Sequence, residues 1–218
     1  MRREARPMAV EPFTDLDPGR IRANLERVRE TAGPQVEILA ATKYVLPDDM
    51  GALAGAGVEL VGENTLQDLE AKRERWGDAF TWDFIGNLQS RKVKRIVPLV
   101  RLIHSLGSES ALKQLATHAH PETAVLVEVN LAGEESKGGI EPAHLGDFID
   151  RCAARVQGLM TMPPYAEDPE ASRPYFARLA SLAAEHGLAT LSMGTSQDWQ
   201  VAVQEGATII RLGSTLYS

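Results

Sequence analysis

Eight short apolar runs, each followed by a longer amphipathic stretch, restrict what this chain can fold into. The runs occupy 36–41, 59–61, 81–85, 102–104, 124–129, 156–160, 189–193 and 208–211. Each is of strand length and is bounded by Gly, Pro, Asn or Ser. Apolar side chains on both faces suit parallel strands, because crossover helices cover both sides of such a sheet. Helical periodicity fills the gaps. Ile21, Leu25 and Val28 recur at i, i+4 and i+7, with Asp15 or Asp17 and Pro18 as start signals and Gly33-Pro34 as a stop. Ser108 and Glu109 open a capped stretch carrying Leu112 and Leu115, and Phe176, Leu179, Leu182 and Ala183 form a stripe ending at Gly187. The segment 148–154, with Cys152, also reads as helical and Cys152 as a packed thiol. Eight such alternations leave two architectures, an open doubly wound sheet or a closed (β/α)8 barrel.

The chain has 218 residues, short against the usual barrel length of about 250 but inside the range. No linker or composition shift divides it, so 1–218 reads as one domain. The stretch 163–169 is the longest irregular segment and is expected as a loop over one barrel end. Lys and Arg number 23 against 30 Asp and Glu, a net charge of −7. That balance argues against a nucleic-acid binder, which needs a cationic footprint to displace counterions. No apolar run approaches the roughly 18 residues of a membrane helix. Met1-Arg2-Arg3-Glu4-Ala5-Arg6-Pro7 looks like a charged signal n-region, but no apolar h-region follows it. The lone Cys152 gives no internal disulfide. A soluble cytoplasmic protein is expected.

In either architecture chemistry belongs where strands end and loops begin. Lys43 follows an apolar run and has no acidic neighbour before Asp48. Its amine is expected to emerge partly desolvated and without a local ion pair, a state suited to Schiff-base chemistry. The competing reading is a strand-end lysine snorkelling to solvent. Gly194-Thr195-Ser196 and Gly213-Ser214-Thr215 follow the last two strands. Small residues and hydroxyls there allow backbone N–H groups close to an anion, as in barrels with a phosphate at the last two loops; ordinary helix caps would look the same. Arg211, near the end of the last strand, needs an acceptor, and Glu63 or Glu128 would supply a structural ion pair. His104 reads as a satisfied core or rim histidine. His118 and His120 lack companions at metal-ligand spacing, and neither a Walker loop nor a dinucleotide glycine fingerprint is present.

Several segments together carry a resemblance. They are Ala40-Ala41-Thr42-Lys43, Val61-Gly62-Glu63-Asn64, Phe84-Ile85-Gly86-Asn87-Leu88-Gln89-Ser90-Arg91-Lys92, Val129-Asn130-Leu131 through Ser136-Lys137-Gly138-Gly139-Ile140, Val156-Gln157-Gly158-Leu159-Met160, Leu191-Ser192-Met193-Gly194-Thr195-Ser196 and Ile210-Arg211-Leu212-Gly213-Ser214. In this order, from about Asp15 onward, the chain resembles the pyridoxal phosphate homeostasis protein family. That resemblance implies a single (β/α)8 barrel similar to the N-terminal barrel of alanine racemase. It implies pyridoxal 5'-phosphate (PLP) as cofactor, with Lys43 as the Schiff-base lysine and Arg211 facing the pyridine nitrogen. Ser196, Gly213 and Ser214 would hold the phosphate, and Asn64 would line the pocket.

Four departures stand out: Asp83 where the family usually has histidine, Ser214 for a common threonine, Tyr44 where threonine is frequent, and a chain end soon after Tyr217. A permanently cationic arginine at the ring nitrogen leaves that nitrogen unprotonated and weakens the ring as an electron sink. Related racemases add a second base from a further domain, for which this chain has no room; a monomer without efficient racemisation is therefore expected. The leading expectation is a PLP-binding protein of vitamin B6 homeostasis that buffers the cofactor or delivers it to apo PLP-dependent enzymes, without robust catalysis of its own. The alternatives are a PLP-dependent racemase or decarboxylase, with Tyr165 or His104 as base, and a cofactor-free Schiff-base aldolase.

Overall fold

The computed structural model describes residues 12–133 and 138–218. The charged start at Met1 to Pro7 and the Ser136-Lys137 part of the family-like motif lie outside the described residues. Eight parallel strands close into a barrel in chain order. They are β1 (Glu37–Ala41), β2 (Leu60–Glu63), β3 (Thr81–Phe84), β4 (Leu102–Leu106), β5 (Ala124–Glu128), β6 (Arg155–Met160), β7 (Thr190–Thr195) and β8 (Ile209–Leu212). The β1–β8 pairing, with Leu39 opposite Arg211, closes the ring. Of the two architectures left open by the strand–helix pattern, the chain adopts the (β/α)8 barrel.

Helices α1 (Pro18–Ala32), α2 (Met50–Ala56), α3 (Leu66–Trp76), α4 (Val93–Ile96), α5 (Glu109–His118), α6 (Leu145–Asp150), α7 (Arg173–Glu185), α8 (Trp199–Gln204) and α9 (Ser214–Tyr217) surround it. Local chemistry sets their ends. Asp17 caps α1 by accepting the Arg20 N–H at 2.6 Å, Pro18 occupies its first turn, and Gly33 leaves it at φ 83°. Ser108 caps α5 through the Ala111 N–H at 3.2 Å. Cys152 lies outside the helix expected around it, because α6 ends at Asp150; it is partly buried. Helix α3 has no clear apolar stripe in the sequence for a specific reason. Its inward face is Leu66, Leu69 and Lys72, so a lysine stands where periodicity calls for an apolar residue.

Alternation along each strand separates two apolar regions. Leu39, Leu60, Leu102, Ala124, Leu126, Met160 and Ile209 fill the lower barrel interior. The other faces pack against the helices, with Val61, Trp82, Ile103, Val125 and Ile210 meeting residues such as Ile21, Leu25, Leu69 and Phe176. Burying a Leu, Ile or Phe side chain stabilises by about 1.5–3 kcal/mol, so this two-sided burial holds the barrel rigid beneath its loops. Gly86, just past β3, is a steric requirement: a Cβ there would stand 1.8 Å from the Asn64 carbonyl oxygen. The stretch 163–169 is a loop leaving β6 into a short turn of helix, with Tyr165 highly exposed.

Candidate functional site

The C-terminal ends of β1, β2, β7 and β8 surround a cavity of about 420 Å³, within the range of about 300–1,000 Å³ common for small-molecule sites. Lys43, Asn64, Ser196, Arg211, Gly213 and Ser214 all line it, joined by Phe13, Tyr44, Ile85, Met162 and Gln197 among others. The six residues singled out in the sequence therefore converge on one cavity. The apolar wall was not anticipated: Phe13 reaches it from the segment before α1, and Met162 from two residues past β6.

Lys43 sits two residues past β1 and is exposed. Partial desolvation was expected there; the side chain is instead exposed at the cavity rim, with its ammonium 4.7 Å from the Tyr44 ring centroid. The backbone beneath it is tightly held. The Thr42 N–H donates to Gly62 O at 3.0 Å, and Tyr217 donates its hydroxyl to Ala41 O at 3.2 Å. Lys72 donates to Thr42 O at 2.7 Å and to Glu63 Oε1 at 2.6 Å. Thr42 Oγ1 donates to the same carboxyl oxygen. Glu63 and Lys72 are both fully enclosed, and burial pushes the Glu63 carboxyl up despite the lysine. Glu63 is therefore part of β2 and faces α3, not the loop as read from the sequence. This buried pair ties the segment before Lys43 to the segment before Asn64.

Arg211 is buried in the barrel interior, and neither expected ion pair forms. Glu63 points to the opposite side of its strand, and Glu128 acts on the guanidinium only through space. Arg211 Nη1 donates to Ser192 O at 2.7 Å and to Ser192 Oγ at 2.6 Å. Nη2 donates to Thr161 O at 3.0 Å and lies 2.9 Å from Met162 Sδ. Burial pushes the guanidinium down to about 10, with Asp198 and Glu128 opposing that shift, so it stays cationic at neutral pH. A smaller cavity of about 180 Å³ adjoins it, lined by His104, Ser105 and Glu128; burial raises the Glu128 carboxyl. His104 is a satisfied core histidine, with Nδ1 2.8 Å from Ser192 Oγ and Nε2 3.0 Å from Asp83 Oδ2.

The last two loops are stitched together. Ser196 Oγ accepts the N–H groups of Gly213 at 3.1 Å and Thr215 at 3.2 Å. Asp198, which the sequence did not reveal as part of the site, accepts from Thr195 N at 2.7 Å and from Ser172 Oγ at 2.8 Å. Gly194 takes φ 90° at the end of β7, where a Cβ would lie 2.6 Å from the Ala202 Cβ. Among the described residues, Asn64 Oδ1 is one of two buried side-chain oxygens without a hydrogen-bond partner.

Comparison with known proteins adds the family. Residues 16–218 match the family of the alanine racemase N-terminal domain. The chain is 38% identical over 215 residues to the pyridoxal phosphate homeostasis protein of Aquifex aeolicus, covering 91% of this chain and 94% of that protein. The chain belongs to the pyridoxal phosphate homeostasis protein family. Among solved members, PipY of Synechococcus elongatus with PLP bound superposes with a TM-score of 0.80 at 29% identity, covering 91% of this chain and all of that one. Alanine racemase of Corynebacterium glutamicum shares the fold at 17% identity and TM-score 0.73, over 93% of this chain and 61% of that enzyme. Among the described residues, no helix is long and apolar enough to cross a membrane.

Proposed function

We propose that this member of the family binds pyridoxal 5'-phosphate as a Schiff base on Lys43 and holds it for vitamin B6 homeostasis without robust catalysis. The observation that carries the reading is the convergence of Lys43, Asn64, Arg211 and the Ser196 and Gly213–Ser214 loops on one cavity. Binding of PLP by PipY supports it. The cofactor supplies, when bound, an electrophilic aldehyde carbon for a primary amine. Lys43 provides that amine at the rim. The stitched loops of Ser196, Gly213 and Ser214 offer hydroxyls and backbone N–H groups to a phosphate. Asn64 lines the cavity beside them. Arg211, cationic and without an acceptor of its own, would face the pyridine ring as a donor only and would not favour protonation of its nitrogen.

The racemase or decarboxylase alternative needs a base across from Lys43. His104 has both ring nitrogens engaged below the cavity, and Tyr165 lies on the exposed loop after β6. Those placements favour retention of the cofactor over proton transfer on it. The test is the visible spectrum of the purified protein with added PLP, before and after borohydride reduction, followed by peptide mapping. A band that becomes fixed on Lys43 supports the proposal. No band, or a label on another lysine, overturns it.

A further inference from the structure

A continuous hydrogen-bonded chain crosses the barrel interior from the cavity to the opposite rim. It begins at Arg211, whose Nη1 donates to Ser192 Oγ at 2.6 Å. Ser192 Oγ lies 2.8 Å from His104 Nδ1, and His104 Nε2 lies 3.0 Å from Asp83 Oδ2. Arg101 closes the chain, its Nε and Nη2 reaching the two Asp83 oxygens at 3.0 and 2.7 Å. At the N-terminal ends of β1 and β4, Arg101 Nη1 then donates to the exposed Glu37 at 2.6 Å. Ser192, His104 and Asp83 are fully enclosed, while Arg101 reaches the surface.

Donor and acceptor counting gives this chain one direction. Asp83 already receives two N–H groups from Arg101, and a carboxylate only accepts, so the proton between Asp83 and His104 sits on Nε2. In the neutral imidazole, Nδ1 then accepts the Ser192 O–H. The Ser192 oxygen is left with its lone pairs toward Arg211. Burial independently favours the neutral imidazole this order requires. A neutral His104 protonated on Nδ1 instead would set its Nε2 lone pair against the Asp83 carboxylate inside the core.

We infer that Asp83, His104 and Ser192 are positioning residues that lock the Arg211 guanidinium toward the cavity, with Arg101 and Asp83 fixing the direction of the chain. Asp83 is the anchor of that order. The affinity readout rests on the PLP reading above; the resonance readout does not.

The test compares His104→Gln, His104→Leu and Ser192→Ala. Glutamine can offer one acceptor and one donor, as neutral His104 does, whereas leucine of similar bulk offers neither. His104→Leu and Ser192→Ala are expected to weaken PLP binding by about tenfold, the usual effect of losing a hydrogen bond to a charged group, and to alter the visible circular dichroism of the bound cofactor. His104→Gln should retain both within about twofold. Nitrogen-15 spectra of the wild type without PLP are expected to show His104 neutral with the proton on Nε2. They should also show restricted rotation of the Arg211 guanidinium, which Ser192→Ala releases. Equal affinity and dichroism in all variants overturn the inference, as does a His104 proton on Nδ1. If the wild type takes up no PLP, the Proposed function fails, and the resonance experiment alone decides the relay.

Discussion

Replacing Lys72 by methionine isolates the buried ion pair beneath Lys43. The lysine stem is fully enclosed and methionine fills most of it, so the principal change is that Glu63 loses its counter-charge. Thr42 O keeps a partner, because Val45 N–H donates to it at 2.9 Å. Glu63 keeps only the Thr42 hydroxyl, with Oε2 already without one. Its cheapest response is to take up a proton. An unperturbed glutamate titrates near 4.3, so holding Glu63 protonated at pH 7 costs at most about 3.7 kcal/mol, at about 1.36 kcal/mol per pH unit. By the same arithmetic the cost at pH 5 is about 1 kcal/mol. The pH 7 value agrees with the range of about 3–5 kcal/mol for breaking a buried pair from one side. Urea unfolding of wild type, Lys72→Met and Lys72→Met/Glu63→Gln at both pH values measures it. The single variant should lose most of its penalty between pH 7 and pH 5, and the double variant should be more stable than the single at pH 7. A penalty that is the same at both pH values, or a double variant no better than the single, refutes the reasoning.

Three further outcomes are expected. The unfolded state takes a proton on His104 near pH 6.5 while burial keeps the folded residue neutral, so stability falls with pH below that point; wild type should lose up to about 1.4 kcal/mol per pH unit relative to His104→Gln, read by denaturant titrations from pH 7 to 5, and parallel curves would contradict it. Gly86→Ala sets a Cβ against the Asn64 carbonyl, which is backbone and cannot turn away, so a loss of about 3 kcal/mol or more is expected in thermal or urea melts. Ser196→Ala removes the acceptor shared by Gly213 and Thr215 N–H and should lower PLP affinity about tenfold in a fluorescence titration; unchanged affinity would remove Ser196 from the phosphate seat.

The strands were legible because each is a local pattern. Eight apolar runs with turn residues between them specify eight strands whatever lies elsewhere in the chain, and the caps at Asp17 and Ser108 are set by neighbours three residues away. Lys43 and the Ser196 and Gly213–Ser214 loops were legible for the same reason, since parallel strands bring all their C-terminal ends to one face; the pocket roles of Asn64 and Arg211 came from the family resemblance. Boundaries were less secure: β2 and β7 run on through Glu63 and Thr195, which looked like loop residues because they are polar.

The partners of those residues were decided only by tertiary structure. Ser192 and His104 are 88 residues apart in the chain, and they meet because β4 and β7 face each other across a closed ring. Arg211 takes Ser192 and Thr161 in preference to Glu63 because strand alternation turns Glu63 outward to Lys72. Lys72 itself hid α3 by standing in its apolar stripe. By itself the sequence determined which elements form and which end of the barrel carries chemistry, since periodicity and turn chemistry act over a few residues. Which charge meets which depends on ring closure and on the inward or outward side of each strand, and those become definite only when all eight strands are in register.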